Sequence, residues 1–341
     1  MSYGLIPLGR KADKELLERY QFLQKFLKES KEFGAQRQES EKKAVAIALQ
    51  NLARNSGYGD VTRLTWSMET ELIKELLPYL SPKEIDGVEV YVQINEEGKS
   101  EIKQIKDGKE LNSMPAKLKK HPYIEELKAV HKKLKDQHAR SRIMLEQAME
   151  DCTRFEESEL RKLMKNPVIW PLLKNLVFTS NGRTGFYTDG LLITADNMCL
   201  PLTPKDELRI AHPTDLHASG NWHAYQKFLF DKSIRQPFKQ VFRELYLPTP
   251  EEEDATQSRR YAGNQIQPQK TVAVLKGRRW VADYEDGLQK IYYKENIIAT
   301  IYAMADWFSP ADIEAPTLEY VCFHNRKDYK LMKISEIPPV I

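Results

Sequence analysis

Three of the seven histidines lie within a dozen residues, at His212, His217 and His223. Three aspartates occur close to them in the sequence, at Asp206, Asp215 and Asp231. Two imidazoles and a carboxylate are a common ligand set for zinc or iron, so a metal site is conceivable. Histidines five and six residues apart do not share a helical face, however, because that requires offsets of three or four. We therefore predict no metal here; acid–base chemistry or ligand contact by one histidine, and a packing or turn role, both stay open.

Arginines in the same part of the sequence could hold an anion, because a guanidinium group forms paired hydrogen bonds with phosphate or carboxylate. The candidate catalytic residues are His212, His223, Arg243 and Glu244. The candidate ligand-binding residues are Arg209, Gln236, Arg259, Arg260, Arg54 and Asn55. An enzyme acting on a phosphate-containing substrate, either a nucleotide or a nucleic acid, would bring such side chains together in one pocket.

Arg54 and Asn55 belong to a stretch that is interrupted by glycines, LARNSGYGDVTRLTW at 52–66. Loops that leave a rigid helix often carry binding groups. The favoured interpretation is structural: Gly57 ends one helix and Asp60 caps the next.

Several catalytic signatures are absent from the sequence. It contains no phosphate-binding P-loop, dinucleotide fingerprint, zinc-protease motif, nucleophile elbow or EF-hand loop. The three cysteines are far apart and match no C-x-x-C spacing, which predicts reduced thiols and no cysteine zinc site. These features predict no cofactor and leave the existence of a reaction open.

The net charge of +3 is too small to imply a polyanionic partner, but its distribution is uneven. Residues 117–142 carry nine Lys or Arg against three acidic residues, a surplus of +6. A solvated helix face is the favoured interpretation, and a stripe that binds phosphate or nucleic acid is the alternative. No long apolar run or signal peptide is visible, so we expect a cytoplasmic protein without a membrane partner.

Hydrophobic periodicity predicts an α+β fold with a helical N-terminal half that contains one β-hairpin, followed by a mainly antiparallel sheet with inserted helices. We predict a boundary between 1–167 and 168–341, with the hairpin at 86–111. Strands are predicted at 175–179, 184–188, 191–195, 271–276, 289–294, 297–303 and 318–324. The run QPFKQVFRELY at 236–246 is predicted to be an amphipathic helix.

A hydroxyl, a proline and an acidic residue recur in one pattern. It occurs at Ser81–Glu84, Thr203–Asp206, Thr249–Glu252 and Ser309–Asp312. The hydroxyl can cap a helix, proline fits its first turn, and the acid can bind back to the capping amide. The pattern therefore predicts four helix starts.

Five runs resemble the bacterial MolR-like family, an uncharacterised domain. They are GLIPLG (4–9), LARNSGYGDVTRLTWSME (52–69), AHPTDL (211–216), QPFKQVFRELY (236–246) and SEIPPVI (335–341). The resemblance implies a domain from the C-terminal part of a longer protein, sometimes joined to a WGR domain or helical repeats. It also implies that this chain is a trimmed member, because relatives continue beyond Ile341.

The family resemblance implies protein partners and offers no catalytic residues that can be assigned to this sequence. Such domains are encoded beside a MoxR-type AAA+ ATPase and a von Willebrand A-type protein. We therefore expect a binding or scaffold module of a larger assembly, with the phosphate-directed enzyme as the alternative.

Overall fold

The computed structural model describes residues 1–283, 287–303 and 317–341. The chain forms two compact units, Met1–Arg243 and Glu244–Ile341. The predicted fold class is confirmed, since helices dominate the N-terminal half and antiparallel sheets with inserted helices follow. None of the described helices is both long enough and apolar enough to cross a lipid bilayer.

The boundary that we predicted between residues 167 and 168 lies inside the first unit. Trp66 and Leu145 share a hydrophobic core with Phe178 and Leu208, and all four side chains are buried. Because that core is built from both sides of the predicted boundary, residues 168–243 belong to the same unit as the N-terminal region.

The first unit begins with three helices, α1 (Ala12–Glu29), α2 (Ala35–Asn55) and α3 (Val61–Leu76). Their apolar stripes pack around the fully buried Tyr20. The Tyr20 hydroxyl donates to the buried carboxylate of Glu69 at 2.7 Å, and the guanidinium of Arg140 donates to the same oxygen at 2.7 Å and 3.1 Å. This network joins α1 and α3 to the long helix described next.

The predicted hairpin is confirmed and is part of a four-stranded antiparallel meander. Its strands are β1 (Lys83–Ile85), β2 (Val88–Ile94), β3 (Ser100–Lys106) and β4 (Lys109–Glu110). The 29-residue helix α4 (Pro122–Glu150) packs against β2 and β3. Buried side chains spaced three and four residues apart form its inner face, including Leu127, Leu134 and Leu145.

A second, six-stranded antiparallel sheet completes the first unit. Its strands, in the order β5-β10-β6-β7-β8-β9, are β5 (Arg154–Glu156), β6 (Val177–Ser180), β7 (Arg183–Thr188), β8 (Leu191–Ile193), β9 (Cys199–Pro201) and β10 (Glu207–Ile210). Its helices are α5 (Glu157–Leu163), α6 (Trp170–Leu173), α7 (Pro213–Ala218) and α8 (Trp222–Asp231).

The helix predicted at 236–246 is wrong, because this segment consists of bends and turns. Gln240 is fully buried, and its carboxamide bonds to both the amide and the carbonyl of Val177, at 3.0 Å and 2.7 Å. It also donates to the carbonyl of Ala211 at 2.8 Å. The side chain therefore bonds to the backbone beside β6 and β10, and these tertiary hydrogen bonds outweigh the helical periodicity.

The second unit contains α9 (Pro250–Glu253), α10 (Pro268–Gly277) and a five-stranded antiparallel sheet in the order β11-β15-β14-β13-β12. The strands are β11 (Gln257–Ser258), β12 (Val281–Asp283), β13 (Gly287–Tyr292), β14 (Ile297–Ala303) and β15 (Leu318–Asn325). The strand predicted at 271–276 is wrong, since this segment forms most of α10. Val272 and Leu275, three residues apart on the helix, pack against Leu288 of β13.

One of the four predicted helix starts is confirmed. Thr249 caps α9, and Glu252 bonds back to the Thr249 amide at 2.9 Å. The pattern at 203–206 forms only a turn, and the pattern at 81–84 leads into β1, because β1 pairs with β2 across the Asp86–Gly87 turn. The pattern at 309–312 lies outside the described residues.

Candidate functional site

His212 is the N-cap of α7, and its ring holds the start of that helix. Its Nδ1 atom lies 2.9 Å from the hydroxyl of Thr214 and accepts from the Thr214 amide at 3.3 Å. The carboxylate of Asp215 accepts from the His212 amide at 2.9 Å, which completes a reciprocal cap. Burial lowers the pKa of His212 to about 4, and the nearby positive charge of Arg243 lowers it further. The ring is therefore neutral at pH 7.

The two arginines predicted to bind an anion beside His212 already bind carboxylates of the chain. Arg209 forms a bidentate pair with Asp215, with both nitrogen–oxygen distances at 2.5 Å. Arg243 contacts two residues of α4, Glu146 at 3.1 Å and Glu150 at 2.8 Å. His212, Arg209 and Arg243 thus lie close enough for their charges to interact, and each already has partners within the chain.

The other two histidines of the cluster are exposed. The ring of His217 packs edge-on to Trp222, with the centroids 6.5 Å apart. No group of three potential metal ligands occurs in the part of the chain that the structure describes. His223, a candidate acid–base residue, lies on the first turn of α8 with an exposed side chain.

Gln236 also has a structural contact set. Its amide nitrogen donates to the Asn175 carbonyl at 2.9 Å and to the Gln240 side chain at 2.8 Å. Its oxygen accepts from the Val241 amide at 3.0 Å.

Three predicted residues belong to the second unit, where Glu244, Arg259 and Arg260 are exposed. Arg260 donates to the Leu247 carbonyl at 3.0 Å. At the N-terminal end of the chain, the structural interpretation of 52–66 is confirmed: Gly57 has a φ of 78° after α2, and Asp60 caps α3.

In that stretch, Arg54 is exposed, and the Asn55 amide donates to the Gly4 carbonyl at 2.8 Å. Asn55 therefore ties the N-terminal segment to α2. Neither residue faces the histidine corner around His212.

A cleft of about 840 Å³ lies elsewhere on the first unit. Four segments line it: 97–102 from the β2–β3 turn and β3, 131–142 from α4, 171–175, and 235–237. The α4 lining comes from the basic stretch 117–142, for which a phosphate-binding stripe was the alternative prediction.

One face of α4 supplies four basic or titratable side chains to the cleft, His131, Lys135, His138 and Arg142. Their spacing of four, three and four residues places them on one stripe of the helix. The stripe carries no acidic residue, so α4 presents a continuous basic edge to the cleft.

Three cations of the cleft form no ion pair within the described residues. Lys135, Arg142 and Arg235 are exposed, and none forms an ion pair with any residue that the structure describes. Lys99, in contrast, pairs with Glu97 at 2.5 Å. The cleft therefore keeps a positive charge that the protein does not itself neutralise.

Each cleft histidine is hydrogen-bonded to the β2–β3 turn or to β3. Nδ1 of His131 lies 3.1 Å from the Ser100 hydroxyl, and Nε2 of His138 lies 3.1 Å from the Glu97 carbonyl. Burial lowers the pKa of both rings, and positive neighbours lower it further: Lys135 for His131, and Lys99 and Arg142 for His138. Both rings are therefore mainly neutral at pH 7.

Gly98 makes this arrangement possible. Its φ is 77°, and a Cβ atom there would lie 2.6 Å from the Val168 carbonyl oxygen. The turn can approach the segment before α6 only with glycine at this position. That approach places the carbonyl of Glu97 against His138.

Apolar side chains form part of the cleft wall. Ile102, Ala139, Pro171, Leu172 and Pro237 line it together with the basic groups. The cleft therefore suits an anion that carries an apolar body. Its volume lies within the usual range for small-molecule sites, about 300–1,000 Å³.

A smaller pocket of about 410 Å³ borders the histidine corner. Its two arginines are already paired, Arg209 with Asp215 and Arg154 with Glu207 at 2.9 Å. The pocket offers less unneutralised charge than the cleft and is the weaker candidate for an anion.

The charge surplus of 117–142 is visible in the sequence, but the cleft that it lines is not. The spacing from His131 to Arg142 was a usable signal, because offsets of four and three predict one helical face. No local signal connects Arg235 or Lys99 with that face, since their proximity depends on tertiary packing.

The fold and the cleft thus define an α+β protein with a cationic cleft on its first unit. A family model described as a domain of unknown function, DUF4132, matches residues 108–280, about half of the chain, and the chain belongs to that family. A second model, a family of unknown function, DUF5724, matches residues 1–68. No curated protein and no solved structure matches the chain.

Proposed function

We propose that this chain is a cytoplasmic binding module whose cleft takes an organic anion bearing a phosphate group. The observation that carries the proposal is the convergence of Lys135, Arg142 and Arg235, three cations without ion-pair partners among the described residues, on one concave surface. Guanidinium groups match the geometry of phosphate oxygens, and lysine adds a positive charge.

Binding fits the geometry better than catalysis at the histidine corner. His212 is only 8% exposed and is engaged in capping α7, while Arg243 is held by two carboxylates. A phosphate-directed enzyme using these residues would have to break contacts that stabilise its own fold. The cleft cations need no such rearrangement.

The proposal is tested by equilibrium dialysis with inorganic phosphate and adenosine monophosphate. Arg142→Gln and Arg235→Gln each remove one charge-assisted contact, worth about 1.5–3 kcal/mol, so affinity should fall about tenfold or more. Arg183→Gln is the matched control, because Arg183 is an exposed arginine outside the cleft. Equal affinities in all four proteins, or no binding by the wild type, would refute the proposal.

Nucleic acid is a second candidate ligand, favoured by the exposed stripe Lys128, Lys132, Lys135 and Arg142 on α4. Lys128 and Arg142 are separated by about 21 Å along the helix axis, enough to follow several backbone phosphates. Binding should weaken steeply when salt is raised, and reversal of Lys128 and Lys132 should weaken it further. Titrations of DNA and RNA at two salt concentrations check this, and salt-insensitive binding would count against it.

The expected MolR-like kinship suggests a wider role. We infer that the module works within a bacterial assembly that includes a MoxR-type AAA+ ATPase and a von Willebrand A-type protein, with the exposed face of α4 as a contact surface. Charge reversal at Lys128, Lys132 and Lys135 should then abolish co-purification of the ATPase. An equal number of reversals at Lys31, Lys205 and Lys327, all exposed, should leave it intact. Loss in both triple variants would argue against this surface.

A further inference from the structure

We propose that the cleft selects doubly charged anions over singly charged ones, because a bound dianion draws a proton onto His131 and another onto His138. The inference rests on the proposed function, since it assigns a specificity to the same cleft. His131 and His138 become specificity-determining residues, and a terminal phosphate or sulfate becomes the preferred head group.

The two rings are placed to respond to a charge in the cleft. They lie seven residues apart on the α4 stripe, with Lys135 between them and Arg142 one turn further on. Both rings line the cleft and are partly exposed. An anion held by the cations therefore changes the electrostatic field at both imidazoles.

Hydrogen bonding leaves one basic nitrogen on each ring. Nε2 of His138 faces the Glu97 carbonyl oxygen, which can only accept, so Nε2 carries hydrogen and Nδ1 is the basic atom. The Ser100 hydroxyl donates to the His131 carbonyl at 3.3 Å, so Nδ1 of His131 donates to that hydroxyl. Nε2 is then the basic atom of His131. Each ring can take up one proton without losing its present bond.

The charges around the rings make protonation depend on the ligand. The positive groups facing the cleft are Lys99, Lys135, Arg142 and Arg235, and the negative groups are Glu97 and Glu101. In the empty cleft, burial and the cations hold the pKa of both histidines below its ordinary value. A bound anion cancels part of the positive field, and a dianion cancels about twice as much as a monoanion at the same position. The second charge therefore roughly doubles the electrostatic contribution that favours protonation of the rings.

Because proton uptake is thermodynamically linked to anion binding, it appears as a pH-dependent preference of the cleft for dianions. Each proton taken up on binding tightens affinity by about tenfold per pH unit, in the range between the free and bound pKa values. If both rings take up a proton, a plot of the logarithm of the association constant against pH has a slope whose magnitude approaches two. If a monoanion leaves the rings neutral, its affinity is nearly independent of pH. The selectivity of the cleft for the dianion therefore grows as the pH falls.

The test uses inorganic sulfate as the dianion and methyl sulfate as the monoanion, because neither changes its charge near neutral pH. A phosphate monoester is less suitable, since its second pKa of about 6 falls within the range of interest. Isothermal titration calorimetry at about pH 6, 7 and 8, at fixed ionic strength, gives the affinities. Repeating one pH in two buffers with different ionisation enthalpies counts the protons taken up.

We expect sulfate binding to tighten by at least about tenfold per pH unit on acidification, with one to two protons taken up. Methyl sulfate should bind with little pH dependence. In the double variant His131→Gln, His138→Gln, sulfate binding should persist while proton uptake is lost. His217→Gln replaces an exposed histidine outside the cleft and should behave as the wild type.

Sulfate binding without proton uptake, or equal uptake with methyl sulfate, would overturn the specificity claim while leaving the binding proposal standing. Uptake that persists in the double variant would also overturn it. Absence of binding of either anion to the wild type would overturn both. If the variants fail to fold, the proton count and anion comparison in the wild type still decide the matter.

Discussion

Replacement of Gln240 tests whether tertiary hydrogen bonds hold the 236–246 segment in its irregular path. The carboxamide of Gln240 has four partners: the Val177 amide, the Val177 carbonyl, the Ala211 carbonyl and the Gln236 side chain. In Gln240→Ala, the Val177 carbonyl would still accept from the Ala211 amide at 2.9 Å. Gln236 would keep its contact with Asn175. The Val177 amide would lose its acceptor, and the Ala211 carbonyl would lose the hydrogen bond that Gln240 donates.

The magnitude follows from these two losses. An unsatisfied buried polar group costs about 1–3 kcal/mol. Two such groups, together with the cavity left by the buried methylenes, give an expected loss of about 4 kcal/mol. That is a large part of the usual 5–15 kcal/mol of folding stability. Gln240→Leu keeps most of the volume but not the bonds, so it should recover only the cavity contribution.

Urea denaturation followed by far-UV circular dichroism measures the loss in the transition of the first unit. Gln21→Ala is the control, because Gln21 is an exposed glutamine of α1 and should change stability by less than about 0.5 kcal/mol. A loss below about 1 kcal/mol in Gln240→Ala would refute the reasoning, since the corner would then be held by something else.

Three further outcomes are expected from the same denaturation assay. The folded pKa of His212, about 4, is below the ordinary value of about 6.5; its stabilising contribution is therefore present above pH 6.5 and is lost toward pH 4, by about 3 kcal/mol. His212→Asn, which retains a capping group, should remove this part of the pH dependence, and an unchanged profile would contradict the assignment. Gly98→Ala should destabilise more than Gly87→Ala, because both glycines have positive φ but only Gly98 lacks room for a Cβ atom; equal losses would show that the contact is unimportant. Glu69→Ala should lower the free energy of unfolding by about 3–5 kcal/mol, because it leaves the partly buried guanidinium of Arg140 and the buried hydroxyl of Tyr20 without their acceptor. Glu71→Ala, which removes an exposed ion pair, should lower it by less than about 1 kcal/mol.

Local patterns predicted the elements whose stability depends on their own periodicity. The helical N-terminal half and its hairpin follow from apolar spacing and turn residues, and the structure confirms both. The prediction of a strand at 271–276 was wrong because alternating valines suit either a strand or a short helix. Proline at 268 and packing of two positions three residues apart decided for the helix.

The same distinction separates the predicted site from the cleft. Arg209 and Arg243 were predicted to hold an anion and His212 to act in acid–base chemistry; in the structure the two arginines bind carboxylates of the chain itself. The sequence did not show whether these side chains are free to bind a ligand. Arg243, for example, is neutralised by Glu146 and Glu150, almost a hundred residues earlier in the chain. Ion pairing over that separation leaves no local trace in the sequence.

The sequence by itself determined the fold class, the caps at Asp60 and Thr249, and the concentration of positive charge in 117–142, because each depends on neighbouring residues. Only the tertiary structure decided which charges remain unneutralised and which face a common surface. Arg235 meets the stripe on α4 because helix and loop pack together around the cleft. Charge neutralisation and concavity are properties of distances in space, and sequence spacing fixes those distances only within a helix turn or a hairpin.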